Sequence, residues 1–550
     1  MSMKSDKKSV WFVSREYAGI AEAGGVKNVV QALAEAAQAH HFEVVVFLPL
    51  YGSCPYKDSA EKGTVHLRIG SVLHTVQYRA FDKDGIRIIF IDTELFSEKK
   101  DIYTYCAEEL AFFREKLHKN DLQKGQGYVD SHEMNVLFQK AVYCFALKYR
   151  CAPEVLHCHD AHTALLPAFI GTSSCGRALF HNTQLLITIH NAGDGYRQSI
   201  SSVQYARELT RLPLSLLQSA VVDAMVEPFL VGARFAVLTT VSSWYADQLH
   251  DPARSPYSYR FAHAIADIPI IGITNGIDST RYDAACPAVS QLPFAFDIGR
   301  EDFAGKYECR AFFLEQCKSG ALQREPAYAG LQWFGSCEVE DGKKYVYIMY
   351  HGRFVHQKGV SVLLKSLPLI LQKAPFVRCI LMGQGDSGFE EEAVALTQKL
   401  NGACLYCKGY DRQIARLLTA AADFILLPSL FEPCGLEDFI AQLYGTIPVA
   451  HAEGGLQKII HGQTGFLYEL PAEAEREGPI HVEQLAGTVV ALAERAARAP
   501  SRLLLGDPFF RKIIVQAYQT LQGRYSWQTI FTEHYVPLYE KAAGRPFEHL

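Results

Sequence analysis

Short apolar runs alternate with helix-like segments along this chain, and the alternation occurs twice. "SVWFVS" (9–14), the helical "GGVKNVVQALAEAAQAHH" (24–41) and "EVVVFLPLYG" (43–52) read as strand, helix, strand. Such a unit closes as parallel strands joined by a right-handed crossover. Further runs follow at "VLHCHD", "QLLITIHN", "FAVLTTVS" and "IIGITNGID", each ending in small or polar residues. From about 284 to 343 the pattern loosens into a charged, aromatic segment. It resumes with "KYVYIMYHGRF", "RCILMGQGD", "ACLYCKGY", "DFILLPS" and "TIPVAHAEGG". The expected fold is therefore α/β, with two Rossmann-like lobes of parallel sheets and flanking helices facing a deep cleft. Four segments are expected: lobes at 1–283 and 345–525, a connecting or inserted segment at 284–344, and a terminal amphipathic helix at 526–550 opened by Ser526 as its N-cap.

Composition narrows the function classes. No apolar run approaches the roughly 20 residues of a membrane span. The short apolar stretch near the start is interrupted by Arg15 and Glu16, which argues against a cleaved signal peptide and for a cytoplasmic protein. With 54 basic and 59 acidic residues and no basic block, nothing points to nucleic acid. The 14 cysteines are scattered. "CLYC" (404–407) is an isolated pair without the second pair of a structural zinc site, and "HCHDAH" (157–162) lacks a separate ligand cluster, so no metal site is expected.

In a parallel sheet, ligands lie beyond the carboxyl ends of the strands. "FEPCGLEDF" (431–439) is such an end, where a strand meets Pro and Gly and a helix begins. The exposed N–H groups there suit an anion, yet Glu432 would repel a phosphate unless it met something else, such as a sugar hydroxyl. A ligand carrying both phosphate and carbohydrate is expected. Gly24 and Gly25 open the first helix, where they serve a close ligand approach or a plain steric turn. His190 and Asn191 close a buried run, as a sugar contact or as satisfied core residues. Arg353 and Lys358 are either a solvated face or a diphosphate contact. Tyr410 either packs or stacks on a base.

Taken in order, these motifs resemble those of bacterial glycogen synthases and plant starch synthases. The resemblance spans almost the whole chain. It rests on "EAGGVKNVV", "HCHDAHTALLPAFI", "TIHN", "TNGIDSTRYD", "RFVHQKG", "GQGD", "EPCGL" with "YGTIPVAHAEGGL", and the late "YSWQTIF". It implies a retaining glucosyltransferase of the glycosyltransferase-B type, with a terminal helix that crosses back to the first lobe. The donor implied is ADP-glucose, or less readily UDP-glucose, the acceptor an α-1,4-glucan, and no metal or other cofactor is required. By the same resemblance His190, Arg353, Lys358 and Glu432 are catalytic. Gly24, Gly25, Asn275, Tyr410, Cys434, Gly435 and Leu436 bind the donor, and Asp160 and Asn191 place sugar or acceptor. Four positions depart from the family pattern: Glu22 and Ala23 stand where the family has lysine and threonine, Ala161 where it often has an aromatic, and Glu437 where it has a threonine. Lys27 is the candidate to supply the missing cation. Alternative readings are a related transferase with another donor or acceptor, and a glucan-binding or regulatory protein with weakened turnover. Oligomeric state is not legible.

Overall fold

The computed structural model describes residues 8–56, 61–255, 257–340, 342–400, 402–499 and 504–540. The chain divides into two compact units, Met1–Asn275 with Trp527–Leu550, and Gly276–Ser526. The division thus falls between Asn275 and Gly276, where the sequence places it after 283.

The first unit is built on β1 (Ser9–Val13), β2 (Glu43–Pro49), β3 (Glu61–Ile69), β4 (Val72–Lys83), β5 (Ile86–Asp92), β6 (Val155–His159) and β7 (Gln184–Ile189). Two-residue strands β8 (Val221–Val222) and β9 (Met225–Val226) form a separate small hairpin, and β10 (Val237–Thr240) and β11 (Ile270–Gly272) complete the main sheet. Its order is β11-β10-β7-β6-β1-β2-β5-β4-β3. All neighbours are parallel except β4, which runs antiparallel to β3 and β5. The sequence reading does not foresee this edge, because β3 begins exposed and alternates buried and exposed residues over 65–69 instead of forming one apolar run. The chain passes from β1 to β2 on one side and from β6 to β7 on the other. The sheet's switch point therefore lies between β1 and β6.

The second unit holds β12 (Gln332–Cys337), β13 (Val346–His351), β14 (Val377–Gly383), β15 (Ala403–Lys408), β16 (Phe424–Leu427), β17 (Ile447–His451) and β18 (Phe466–Tyr468), in the order β12-β15-β14-β13-β16-β17-β18. Only β12 is antiparallel. β14, β16 and β17 are almost wholly buried, as continuous Val/Ile/Leu runs require in a covered parallel sheet. Here the switch point lies between β13 and β16, paired through Ile348–Phe424 and Met349–Ile425.

The segment 284–344 is part of this second unit's core. Its helix Ala304–Ser319 buries Lys306, whose Nζ donates to the carbonyls of Ala420 and Ala422 at 2.8 Å, and to the Tyr444 carbonyl and Thr446 Oγ1 at 3.0 Å. Arg310 donates to the Ala421 carbonyl and pairs with Asp423 at 2.5 Å. These acceptors lie at the carboxyl ends of helices Arg412–Ala421 and Glu437–Leu443, where last-turn carbonyls lack helical partners and the dipole favours cations. At the chain's end, helical turns Trp527–Ile530, Phe531–Tyr535 and Val536–Glu540 follow one another, the middle one π-helical. They bury Phe531 against Phe42 and bond the Tyr539 hydroxyl to His157 Nδ1 at 2.8 Å, all within the first unit.

Candidate active site

In the second unit the loops after β13 and β16 bring the expected charges together. Gly359, at φ +67°, is where they touch, since a Cβ there would lie 1.9 Å from the Pro428 carbonyl oxygen. That close approach lets Lys358 Nζ donate to Glu432 Oε2 at 2.5 Å, while Ser429 Oγ donates to the same oxygen at 3.2 Å. Glu432 is buried, with Oε1 bonded to none of the described residues. Arg353 is exposed on the same loop as Lys358, its carbonyl accepting from the Tyr350 hydroxyl at 2.9 Å.

Lys458, which the sequence reading misses, shapes the loop that carries Cys434, Gly435 and Leu436. Its buried ammonium donates to the carbonyls of Cys434 at 2.5 Å, Gly435 at 3.0 Å and Gly455 at 3.3 Å, and it pairs with fully buried Asp438 at 3.0 Å. In a trans peptide N–H and C=O point opposite ways. Carbonyls of Cys434 and Gly435 drawn to Lys458 therefore turn the N–H groups of Gly435 and Leu436 away from it, and no described residue accepts them. Gly455 packs on this loop so tightly that a Cβ would lie 2.3 Å from the Cys434 Cα, and its N–H donates to the Glu432 carbonyl at 2.7 Å. Burial pushes the Asp438 carboxyl up to about 6, with Lys458 pulling the other way. A lysine placed two residues after "GGL" is the only sequence trace of this device.

The first unit's edge assembles the other candidates. Asp160 follows β6 in a left-handed conformation, φ +62°, and its carboxylate accepts the N–H groups of His190 at 2.8 Å and Asn191 at 3.4 Å. Burial pushes that carboxyl up to about 7, against those two bonds. His190 Nε2 bonds His159 Nδ1 at 2.9 Å, and burial lowers its pKa to about 3, so the ring is a neutral hydrogen-bonding group. His159 stacks on His157 with ring centroids 4.4 Å apart, and His157 carries the bond to Tyr539. The Asn191 side chain accepts from Gly193 N–H at 2.7 Å. Asn275 is buried, and its Oδ1 has no partner among the described residues.

At the glycine turn the arrangement differs from the expectation. Buried Glu16 accepts the N–H groups of Ala23 at 3.2 Å and Gly24 at 2.6 Å, and the Tyr103 hydroxyl at 2.7 Å, so the Gly24 N–H is already committed. Gly25 is the N-cap of helix Val26–Ala39, with no side chain capping it. Glu22 accepts from Gly19 N–H at 2.6 Å and pairs with Lys27 at 3.0 Å. Lys27 therefore spends its charge on Glu22.

Residues 9–265 match the model of the starch synthase catalytic domain, and residues 338–478 that of glycosyl transferases group 1. The glycogen synthase of Vibrio atlanticus is 25% identical over 544 residues, covering 97% of this chain and 99% of that protein. The glycogen synthase of Aeromonas salmonicida is 27% identical over 84% of this chain and 87% of its own. The catalytic domain of starch synthase IV from Arabidopsis thaliana, solved with ADP and acarbose, superposes with a TM-score of 0.74 at 21% identity, covering 98% of this chain and 100% of that one. By these matches the chain is similar to glycogen and starch synthases over nearly its whole length. The shared fold is that of glycosyltransferase-B enzymes.

Glu437 is not a bare added charge. Its Oε2 lies 3.0 Å from His351 Nδ1, at the last residue of β13. Burial opposes protonation of His351, but the Glu437 carboxylate outweighs it and holds the imidazole above its ordinary pKa. Burial likewise opposes ionisation of Glu437, and His351 and then Lys358 reverse it, keeping the carboxyl below its usual range. Tyr410, 60% exposed, lies over the His351 ring with centroids 5.7 Å apart and planes 18° from parallel. No group of three or more His, Cys, Asp or Glu side chains among the described residues is placed to hold a metal ion, and no helix among them is long and apolar enough to cross a membrane.

Proposed function

We propose that this protein transfers glucose, with retention, from ADP-glucose to the non-reducing end of an α-1,4-glucan, without a metal. The observation that carries the reading is the second unit's switch point. There Lys358 meets Glu432 at 2.5 Å beside the outward N–H groups of Gly435 and Leu436. Arg353, Lys358 and those N–H groups neutralise the departing diphosphate, the task a divalent cation performs elsewhere. Glu432 keeps one oxygen for sugar hydroxyls and for the positive charge that develops at the anomeric carbon. Neutral His190, its Nε2 tied to His159, offers Nδ1 to the glucose, and Asp160 sets the backbone that carries it. Tyr410 stacks on the base. The leaving phosphate takes the acceptor's proton, so no separate general base is needed.

A donor other than ADP-glucose is the second reading, favoured by Glu437 at the nucleotide side. Incubation of the protein with glycogen and radiolabelled ADP-glucose, and in parallel UDP-glucose, tests both. Incorporation into glycogen from ADP-glucose, with the label released by a hydrolase specific for terminal α-1,4-linked glucose, supports the proposal. Incorporation only from UDP-glucose supports the second reading. No incorporation from either, with glycogen still bound, marks a protein that binds glucan without turnover.

A further inference from the structure

We infer that Glu437, held by His351, accepts hydrogen bonds from the ribose hydroxyls of the donor nucleotide and so helps determine which nucleotides bind. The inference rests on the transferase reading above and deepens it. A nucleotide sugar is a linear ligand: base, ribose, diphosphate, sugar. The second unit presents matching groups in that order along one sheet edge. Tyr410 is the exposed aromatic platform for a base, Arg353 and Lys358 are the cations for a diphosphate, and Glu432 is the carboxylate for the sugar. Between platform and cations lies the His351–Glu437 pair: His351 stacks on Tyr410 on one side, and both members feel the Lys358 charge on the other. The moiety between base and diphosphate is the ribose.

The chemistry agrees with the position. An ionised carboxylate is an acceptor only. A diphosphate has no hydrogen to give it, whereas a ribose diol has two. The Glu437 side chain is 36% exposed, and its Oε2 is the atom engaged by His351. Oε1 is left for the ligand. A lone carboxylate here would repel the diphosphate, and protonated His351 offsets that charge. His351 is thus a positioning residue that acts through Glu437.

The other charges around the pair come from each neighbouring element. They are Lys358 and Arg353 after β13, Glu432 after β16, Arg412 and Arg416 on the helix after Tyr410, and the phenols of Tyr410 and Tyr282. Among these the imidazole is the group that titrates near neutrality. Loss of its proton leaves Glu437 uncompensated beside the diphosphate, so donor affinity falls as pH rises through the raised His351 pKa.

Calorimetric dissociation constants for ADP and 2′,3′-dideoxy-ADP test this on the full chain, for the unaltered protein, Glu437→Ala, Glu437→Gln and His351→Gln, at pH 6.5 and 8.5. A hydrogen bond to a charged acceptor predicts about a tenfold preference for ADP in the unaltered protein. That preference shrinks to about twofold or less in Glu437→Ala and is intermediate in Glu437→Gln. The fall in ADP affinity between the two pH values disappears in His351→Gln, an effect that a merely structural imidazole would not produce. If Glu437→Ala keeps the parent's preference for ADP, the inference is overturned while the transferase reading stands. If the unaltered protein binds neither ADP nor ADP-glucose, both are overturned.

Discussion

Lys358 and Glu432 neutralise each other before any ligand arrives, and the site's behaviour follows from that. A diphosphate competes for the ammonium, and the carboxylate it partly releases is freed for the sugar. Lys358→Ala removes a cation aimed at charge that grows in the transition state, and turnover is expected to fall at least about a hundredfold with the fold intact. Glu432→Gln keeps the shape and removes the charge. It should depress kcat more than donor affinity, as steady-state kinetics beside calorimetry will show, and a change confined to KM would make Glu432 a ground-state contact only. Asp160 carries a pH signature. Its carboxyl, near 7 in the fold against an ordinary 3.8, holds a proton that the unfolded chain has released. The native state thus binds more protons between about pH 4 and 7, and this group's contribution to stability declines as pH rises through that window and is flat above it. Asp160→Asn keeps an oxygen for the His190 and Asn191 N–H groups and loses the titration. Urea unfolding of both proteins at pH 5 and 7.5 should show the variant gaining on the parent at the higher pH.

At the scale of the element, the loop between β16 and its following helix depends on one buried ion pair. Lys458→Met leaves Asp438 fully buried without its cation, so that the carboxyl must take up a proton near neutral pH or remain an uncompensated charge, a loss of about 3–5 kcal/mol. Lys458→Met with Asp438→Leu removes both charges, and denaturant titration should find the double variant more stable than Lys458→Met alone. Its activity should remain low, because nothing then holds the carbonyls of Cys434 and Gly435 inward and the Gly435 and Leu436 N–H groups outward. This level also separates what the sequence makes legible from what it hides. The strands and their ligand ends are readable because a covered parallel strand is one apolar run, and "DFILLPS" or "QLLITIHN" leave little choice. "EPCGL" and "RFVHQKG" are readable because charge and glycine fall just where such runs stop. Lys458 and Glu16 are not, since each works through backbone groups distant in sequence or already claimed by the turn, and a lone Lys or Glu carries no periodicity. Lys306 and Arg310 hide for the same reason: inside a charged stretch they look like solvated surface, yet they bind the ends of two helices.

At the scale of the molecule, the first unit is discontinuous in sequence and needs residues from beyond the second. Trp527, Ile530, Phe531, Tyr535, Leu538 and Tyr539 are all buried. At about 1.5–3 kcal/mol for each large apolar side chain, their burial stabilises by an amount comparable to the roughly 5–15 kcal/mol that holds a domain together. Gly276–Ser526, in contrast, is continuous and contains all seven strands of its own sheet. A chain ending at Ser526 should therefore lose hydrogen-exchange protection throughout β1, β2, β6 and β7 while β13, β14, β16 and β17 stay protected. A gentler variant addresses the link to the site. Tyr539→Phe keeps the ring and leaves buried His157 Nδ1 without its partner, at a cost of about 1–3 kcal/mol. His157 stacks on His159, which in turn bonds His190, so this variant should weaken glucose placement as well as stability, raising KM for the donor while leaving nucleotide affinity alone. Equal losses in ADP and ADP-glucose binding would show instead that the terminal helix acts on the molecule as a whole and not through the histidine stack.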